Sequence, residues 1–129
     1  MALGESLGIE SELIPRIATG FCGGVGSTHR HICGALSGAV MATGIAFGRD
    51  RAEESREKAL NLVKELLRSF HREFGSTECY ELVRFDPDDE RFSEKWGAWN
   101  MQEEKCVHYV RFVVERWLEL AEGEGRERW

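Results

Sequence analysis

Four cysteines are the residues of this sequence whose chemistry is most distinctive. They are Cys22, Cys33, Cys79 and Cys106, and the gaps between them are 11, 46 and 27 residues. No two of them form Cys-x-x-Cys, so the spacing is neither that of a zinc ribbon nor that of a thioredoxin motif. Separated thiols can ligate a metal or an iron–sulfur cluster, or they can exchange disulfides.

The predicted placement of these cysteines indicates a shared site. Cys33 and Cys106 fall near the starts of predicted helices, and Cys79 follows a predicted helix cap by three residues. At a helix start, unpaired N–H groups and the helix dipole favour a thiolate. Cys22 lies in a glycine-rich loop where the first helix ends. Because several helix starts can share one end of an up-and-down bundle, we expect the four sulfurs to converge on one redox or metal site.

Further residues are weaker candidates for the same site. Gly23, Gly24 and Gly34 are predicted to border a cofactor, because glycine loops can turn N–H groups towards charged sulfur. His29 and His31 flank Arg30 just before Cys33. They could add nitrogen ligands, although histidines in such a loop are more often solvated.

The first half of the chain is predicted to contain two helices. The first is capped by Ser11, and its inner face consists of Ile14, Ile17, Ala18 and Phe21. The second runs from about 31 to 47. Its pairs Gly34-x-x-x-Gly38 and Gly44-x-x-x-Gly48 predict that another backbone comes close, either within the chain or in a homodimer.

The second half is predicted to contain two long helices and a short one. A helix over about 51–74 ends at Gly75, and its stripe is Leu60, Val63, Leu67, Phe70 and Phe74. A short helix follows from Ser76 to about Val83. Residues 84–100 read as an ordered loop, in which Trp96 and Trp99 either pack on the core or shield the site. The last helix starts at Asn100, and its predicted buried face is Val107, Val110, Val114, Trp117, Leu118 and Ala121.

These elements predict an all-α protein. We expect one domain over 1–129, a compact antiparallel bundle of four main helices with a short helix and an ordered loop, and a frayed tail over 123–129. The net charge of −6 argues against nucleic acid and against a polybasic membrane surface. The apolar segment 32–47 is shorter than the ~20 residues that span a bilayer. The sequence starts without a signal-peptide pattern, so we expect a cytoplasmic protein with reduced thiols.

Several motifs together resemble a known family. Phe21 followed by a glycine run, Cys33-Gly-Ala-x-x-Gly38, Phe74-Gly-Ser-x-x-Cys79-x-Glu-Leu, and the late Cys106 are similar, in order, to the family named for the pattern C_GCAxxG_C_C. The likeness covers about residues 11–120. One feature departs from it, because the family's first cysteine often lies upstream on the first helix, whereas this chain has Cys22 in the glycine loop.

The resemblance implies a redox role carried by the cysteines. Similar domains accompany iron–sulfur or haem electron-transfer modules, which favours an iron–sulfur cluster and a redox partner protein not specified by the sequence. Three alternatives stay open: a reversible disulfide pair without a cofactor, a structural zinc site, and a non-redox interaction bundle. No nucleophile–base pair is evident in the sequence, so an oxidoreductase activity is left open rather than predicted.

Overall fold

The chain folds into helices joined by turns. The computed structural model describes residues 2–84, 86–98, 100 and 102–123. The elements are α1 (Ala2–Ser6), α2 (Leu13–Ala18) with a 3-10 turn (Thr19–Phe21), α3 (Gly34–Phe47), α4 (Glu57–Phe74), α5 (Cys79–Val83), α6 (Phe92–Ala98), a π-helical turn (Gln102–Cys106) and α7 (Val107–Gly123). The described ranges contain no β-strand, so the predicted all-α class is confirmed.

The core lies where α3, α4 and α7 pack against one another. Trp117, Phe70 and Leu36 are fully buried there. The indole N–H of Trp117 donates a hydrogen bond of 2.8 Å to Thr43 Oγ1, which also has no solvent exposure. This bond satisfies the polar atom of the largest core side chain and joins α7 to α3.

The start and the buried face of α4 differ from prediction. The helix begins at Glu57 and not near 51, because residues 51–54 form a turn. Leu62, Leu66 and Phe70 are its most buried apolar side chains, whereas Leu60 is 43% exposed. The predicted helical period is correct. The buried face is rotated around the helix axis relative to the predicted face, because α4 packs against both α3 and α7. The predicted stop is confirmed, since Gly75 caps the helix in the left-handed region at φ +79°.

The buried face of α7 was predicted correctly only in part. Val113, Trp117 and Ala121, spaced by four, are buried, whereas Val107 and Val110 are exposed. The helix is preceded by a π-helical turn rather than starting directly at Asn100. The first α-helical turn of α7 therefore presents these two valines to solvent.

The first predicted helix is divided in the structure. Its expected inner face is wrong, because Ile17 is 62% exposed and Phe21 39% exposed. The position against α3 is instead taken by α1, which the sequence analysis did not predict. Leu3 of α1 and the following Leu7 enter the core.

Two further predictions are wrong in part. A Cβ added at Gly34 would meet the carbonyl oxygen of Phe21 at 3.7 Å, so a backbone neighbour is present at that end of α3. At Gly38 and Gly44 an added Cβ would meet nothing within 4 Å, so among the described residues the close approach is absent there. A homodimer through this face stays a prediction. The stretch 84–100, expected to be a loop, contains α6. Trp99 and the predicted frayed end 124–129 lie outside the described residues.

The membrane prediction concerns the apolar α3. Among the helices that the structure describes, none combines the length and the apolar composition needed to span a bilayer. In α3 itself, Leu36, Ala39, Ala42 and Ala46 belong to the protein core.

Candidate functional site

A short backbone contact brings two of the four cysteines together. Ile32 and Glu78 form an isolated antiparallel bridge. The N–H of Cys33 donates to the carbonyl of Thr77, and the N–H of Cys79 donates to the carbonyl of His31, both at 2.8 Å. In this pattern Cys33 and Cys79 are diagonal neighbours on one side of the bridge. Their Cα atoms are thus expected to lie about 7–8 Å apart, the typical spacing of such neighbours.

Cys79 is the most buried of the four cysteines. It is the first residue of α5 and is 8% exposed. Burial, and to a smaller extent the charges of Cys33, Cys106 and Cys22, raise the pKa of its thiol to about 12.

Cys106 is held near Cys79 by contacts between the start of α7 and the end of α5. The hydroxyl of Tyr109 donates to the carbonyl of Leu82 at 2.8 Å, and Lys105 Nζ donates to the carbonyl of Val83 at 3.0 Å. Burial raises the pKa of the half-buried Cys106, and the charge of Cys33 raises it as well. Cys106 also ends the π-helical turn, a local irregularity that is frequent at functional sites.

Cys33 is the cysteine whose thiolate is best stabilised by nearby backbone N–H groups. It is the N-cap of the 14-residue α3. Burial raises the pKa of its thiol, whereas the N–H groups of Ala35 and Leu36 act in the opposite direction. The cysteines lie near helix starts, as predicted, but the expected stabilisation of their thiolates is not found. For Cys33, Cys79 and Cys106, desolvation raises the thiol pKa by more than the helix start lowers it.

The glycine loop that contains Cys22 forms a left-handed turn. Residues 23–27 all have φ between +55° and +66°, among them the non-glycine residues Val25 and Ser27. The turn is closed by bonds of 2.8 Å from Gly26 N–H to the Gly20 carbonyl and from His29 N–H to the Gly23 carbonyl. These two N–H groups bond inside the loop and are therefore not available to a sulfur.

Gly24 is the residue through which this loop contacts Cys79. A Cβ built on Gly24 would lie 2.7 Å from the Cβ of Cys79 and 3.0 Å from the Cα of His29. Only glycine fits there, because the position also has φ +66°. Cys22, two residues earlier, is exposed.

His29 contacts Cys79 through its side chain. Nδ1 lies 3.5 Å from the sulfur. The ring packs against Phe92 at 4.7 Å and Trp96 at 4.6 Å between centroids, and burial lowers the pKa of the imidazole. From sequence this residue was only a weak candidate ligand, because nothing in the sequence relates position 29 to position 79.

The remaining candidates lie at the border of the site. His31 is exposed and enters the site through its backbone carbonyl. Gly34 opens α3, and a Cβ there would meet the carbonyl of Phe21 at 3.7 Å. Gly23 packs against Ser27 and the His29 ring. Their predicted role in cofactor binding stays a prediction.

The donor side chains are not arranged for a metal ion as they stand. Within the described ranges, which include all four cysteines and His29, no three or more Cys, His, Asp or Glu side chains are grouped closely enough to hold one ion. The cysteines are free thiols in the structure.

The structure defines a small all-α protein with four free cysteines, two of which are aligned by one backbone bridge. The family model described as "Putative redox-active protein (C_GCAxxG_C_C)" matches residues 1–120. The chain belongs to this family, and the resemblance seen in its motifs is confirmed. Neither a curated protein nor a solved structure gives a significant match.

Proposed function

We propose that the chain is a thiol–disulfide redox protein whose working pair is Cys33 and Cys79. The bridge between residues 32 and 78 supports this pairing, since it fixes both cysteines on one side of a two-stranded contact. Among the three cysteines whose charge raises the pKa of Cys79, Cys33 has the largest effect.

The pair needs a small movement to form a bond. Diagonal Cα atoms lie about 7–8 Å apart, and a disulfide spans about 4.4–6.8 Å, so the segments must close by roughly 1–2 Å. The isolated bridge is short, and Cys79 is the first residue of the short α5. Oxidation joins the sulfurs and releases two protons and two electrons, which reduce a disulfide of the partner to two thiols.

The environment assigns different roles to the two thiols. The N–H groups of Ala35 and Leu36 favour the thiolate of Cys33 relative to that of Cys79, so Cys33 is the attacking sulfur. Nδ1 of His29 is positioned to accept the proton of Cys79 when that sulfur is oxidised. The high pKa of Cys79, raised by burial, keeps the reduced form inert towards accidental oxidants.

Thiol counting across redox buffers tests this function. The full chain is equilibrated with glutathione mixtures, free thiols are alkylated, and the mass is measured. We expect a transition in which two thiols are lost together and regained on reduction. Cys33→Ser and Cys79→Ser should each abolish the transition, whereas Ser55→Ala, a change in an exposed turn, should leave it intact. An unchanged thiol count in all buffers would reject the proposal.

An iron–sulfur cluster used for electron transfer is the second candidate, with zinc as its alternative. One observation favours it, namely that the charges of Cys22, Cys33 and Cys106 all contribute to the raised pKa of Cys79. Against it, three or more of these donors are not grouped closely enough to hold an ion as placed. The sulfurs would have to move together, and metal binding would have to deprotonate thiols whose pKa burial has raised.

Metal analysis separates the two candidates. Protein purified without oxygen is assayed for iron, acid-labile sulfide and zinc, before and after reconstitution. The thiol–disulfide proposal predicts that none is present in stoichiometric amount and that all four thiols react after denaturation. Iron with sulfide, or one zinc per chain, that depends on all four cysteines would favour the second candidate.

A further inference from the structure

Residues 86–96 form a compact unit made of a turn and the first part of α6. The carboxylate of Asp89 accepts a bond of 2.8 Å from the N–H of Arg91 and forms an ion pair of 2.5 Å with Lys95 Nζ. The carbonyl of the same aspartate accepts a bond of 2.9 Å from the N–H of Phe92. The turn and the helix are thus tied together through Asp89, so that they can move as one body.

Two contacts hold this unit against the loop that covers the most buried cysteine. Phe92 and Trp96 pack on the His29 ring at 4.7 and 4.6 Å between centroids, and they lie 5.6 Å from each other. Arg30, the next residue along the chain, forms an ion pair with the carboxylate of Asp88. Because both contacts end on two adjacent residues, they can form and break together.

The His29 ring lies between the unit and the sulfur of Cys79. Nδ1 of the ring is 3.5 Å from that sulfur, and Cys79 is only 8% exposed. On a second side the glycine loop closes over the same residue, since a Cβ built on Gly24 would lie 2.7 Å from the Cβ of Cys79. The imidazole cannot turn away from the sulfur while Phe92 and Trp96 are packed on it. The unit therefore has to lift before a reagent can approach Cys79 from the His29 side.

We infer that residues 86–96 act as a lid over Cys79. The ion pair between Arg30 and Asp88 sets the fraction of molecules in which this lid is open. Its two side chains are 44% and 77% exposed, so water and salt weaken their attraction. A segment held by such contacts opens locally, without unfolding of the core. Access to the sulfur is governed in this way whichever bond it forms, so the lid goes beyond the proposed disulfide exchange.

Alkylation of the reduced full chain measures how often the lid opens. Iodoacetamide is added at one pH, the reaction is stopped at intervals, and peptide mapping gives the rate for each cysteine separately. When opening and closing are fast, the rate at Cys79 is proportional to the population of the open form. We expect Trp96→Ala to raise this rate about two- to tenfold, because it removes one of the rings that hold His29. The rate at the exposed Cys22 should stay the same and serves as the internal reference.

Substitutions on the two sides of the ion pair separate a lid from a simple effect of charge. Arg30→Gln removes a positive charge and Asp88→Asn removes a negative one. If these charges acted only on the pKa of the Cys79 thiol, the first variant would react more slowly and the second faster. A lid predicts that both react about two- to fivefold faster. The double variant should react no faster than either single one, and the exchanged pair Arg30→Asp with Asp88→Arg should return the native rate.

A matched control and a change of salt complete the test. Glu90→Gln alters an exposed carboxylate in the same turn and should leave the rate at Cys79 unchanged. Raising the salt to ~1 M screens the ion pair, so the native rate should approach that of the double variant, whose own rate should barely respond. Circular dichroism checks that each variant is folded.

Two results would overturn the lid. One is that the rates of Arg30→Gln and Asp88→Asn move in opposite directions, and the other is that folded Trp96→Ala reacts at the native rate. Neither result bears on a disulfide between Cys33 and Cys79, because alkylation is measured on the reduced chain. The disulfide is tested by thiol counting and can fail while the lid stands.

Discussion

The imidazole of His29 and the thiol of Cys79 meet at 3.5 Å, although the two residues are 50 positions apart. Two separate features create this contact. The left-handed turn puts His29 at φ +58°, and the bridge with residue 32 anchors the start of α5. Phe92 and Trp96 of α6 pack on the ring from outside. The most buried cysteine thus has a ring nitrogen beside its sulfur, and that ring is itself shielded by aromatic side chains.

Replacing this imidazole tests its place in the fold and the site. His29→Asn keeps a residue that tolerates the left-handed region but removes the contacts with Phe92 and Trp96, each worth ~0.5–1.5 kcal/mol. We expect the free energy of unfolding in urea to fall by about 1–2 kcal/mol. Iodoacetamide should also modify Cys79 faster, because the ring no longer covers it. His31→Asn, at an exposed side chain, is the control, and equal effects from both variants would contradict the contact.

The buried thiol of Cys79 makes stability depend on alkaline pH. Its pKa rises from 9.0 to about 12 on folding, chiefly through burial. Between these values the unfolded chain has released the proton that the folded chain still holds, so the free energy of unfolding falls as pH increases. Cys79→Ser should lose this component of the decline, whereas the exposed Cys22→Ser should keep it. The free energy of unfolding is measured against pH under reducing conditions for the native chain, Cys79→Ser and Cys22→Ser. Parallel curves for all three would show that the thiol of Cys79 is not shielded.

Gly24 and Gly38 respond oppositely to the same substitution. Gly24→Ala should cost about 2–4 kcal/mol, because the residue has φ +66° and its Cβ would clash with Cys79. Gly38→Ala should be neutral or stabilise by up to ~1 kcal/mol, since the helical position is open. Thermal unfolding measures both. A harmless Gly24→Ala would be incompatible with the loop lying on Cys79.

The hydrogen bond from Trp117 to Thr43 stabilises the core behind the site. Thr43→Val leaves a buried indole N–H without its partner and should cost ~1–3 kcal/mol. Thr43→Ser keeps the hydroxyl and should preserve slow exchange of the indole proton, measured by NMR. Rapid exchange of that proton in the native protein would show that the bond is absent.

The periodic parts of the fold could be predicted from the sequence, because helical spacing of apolar residues is a local signal. The helices now defined as α3, α4 and α7 were all found, and the stop at Gly75 was correct. The inward faces were less predictable. Leu60 and Val110 are exposed although both fit an apolar stripe, because tertiary packing decides which side of a helix is covered. No such period exists in α1 or α6, and both were missed.

The site was predictable as a set of residues but not as a geometry. The cysteine positions and the glycine pattern identified the family, and three of the cysteines lie near helix starts, as predicted. The bridge that aligns Cys33 with Cys79 has no local sequence signal, since it depends on two distant segments meeting. The directions of the pKa shifts could not be predicted either, because burial is a property of the folded chain.

Peptide mapping of the oxidised native chain tests the central claim most directly. The reduced protein is oxidised with glutathione disulfide, remaining thiols are alkylated, and the digest is analysed with and without reduction. We predict one major reducible crosslink joining the peptide that contains Cys33 to the peptide that contains Cys79. Four alkylated cysteines after oxidation, or a dominant crosslink that leaves out either of these residues, would contradict the account.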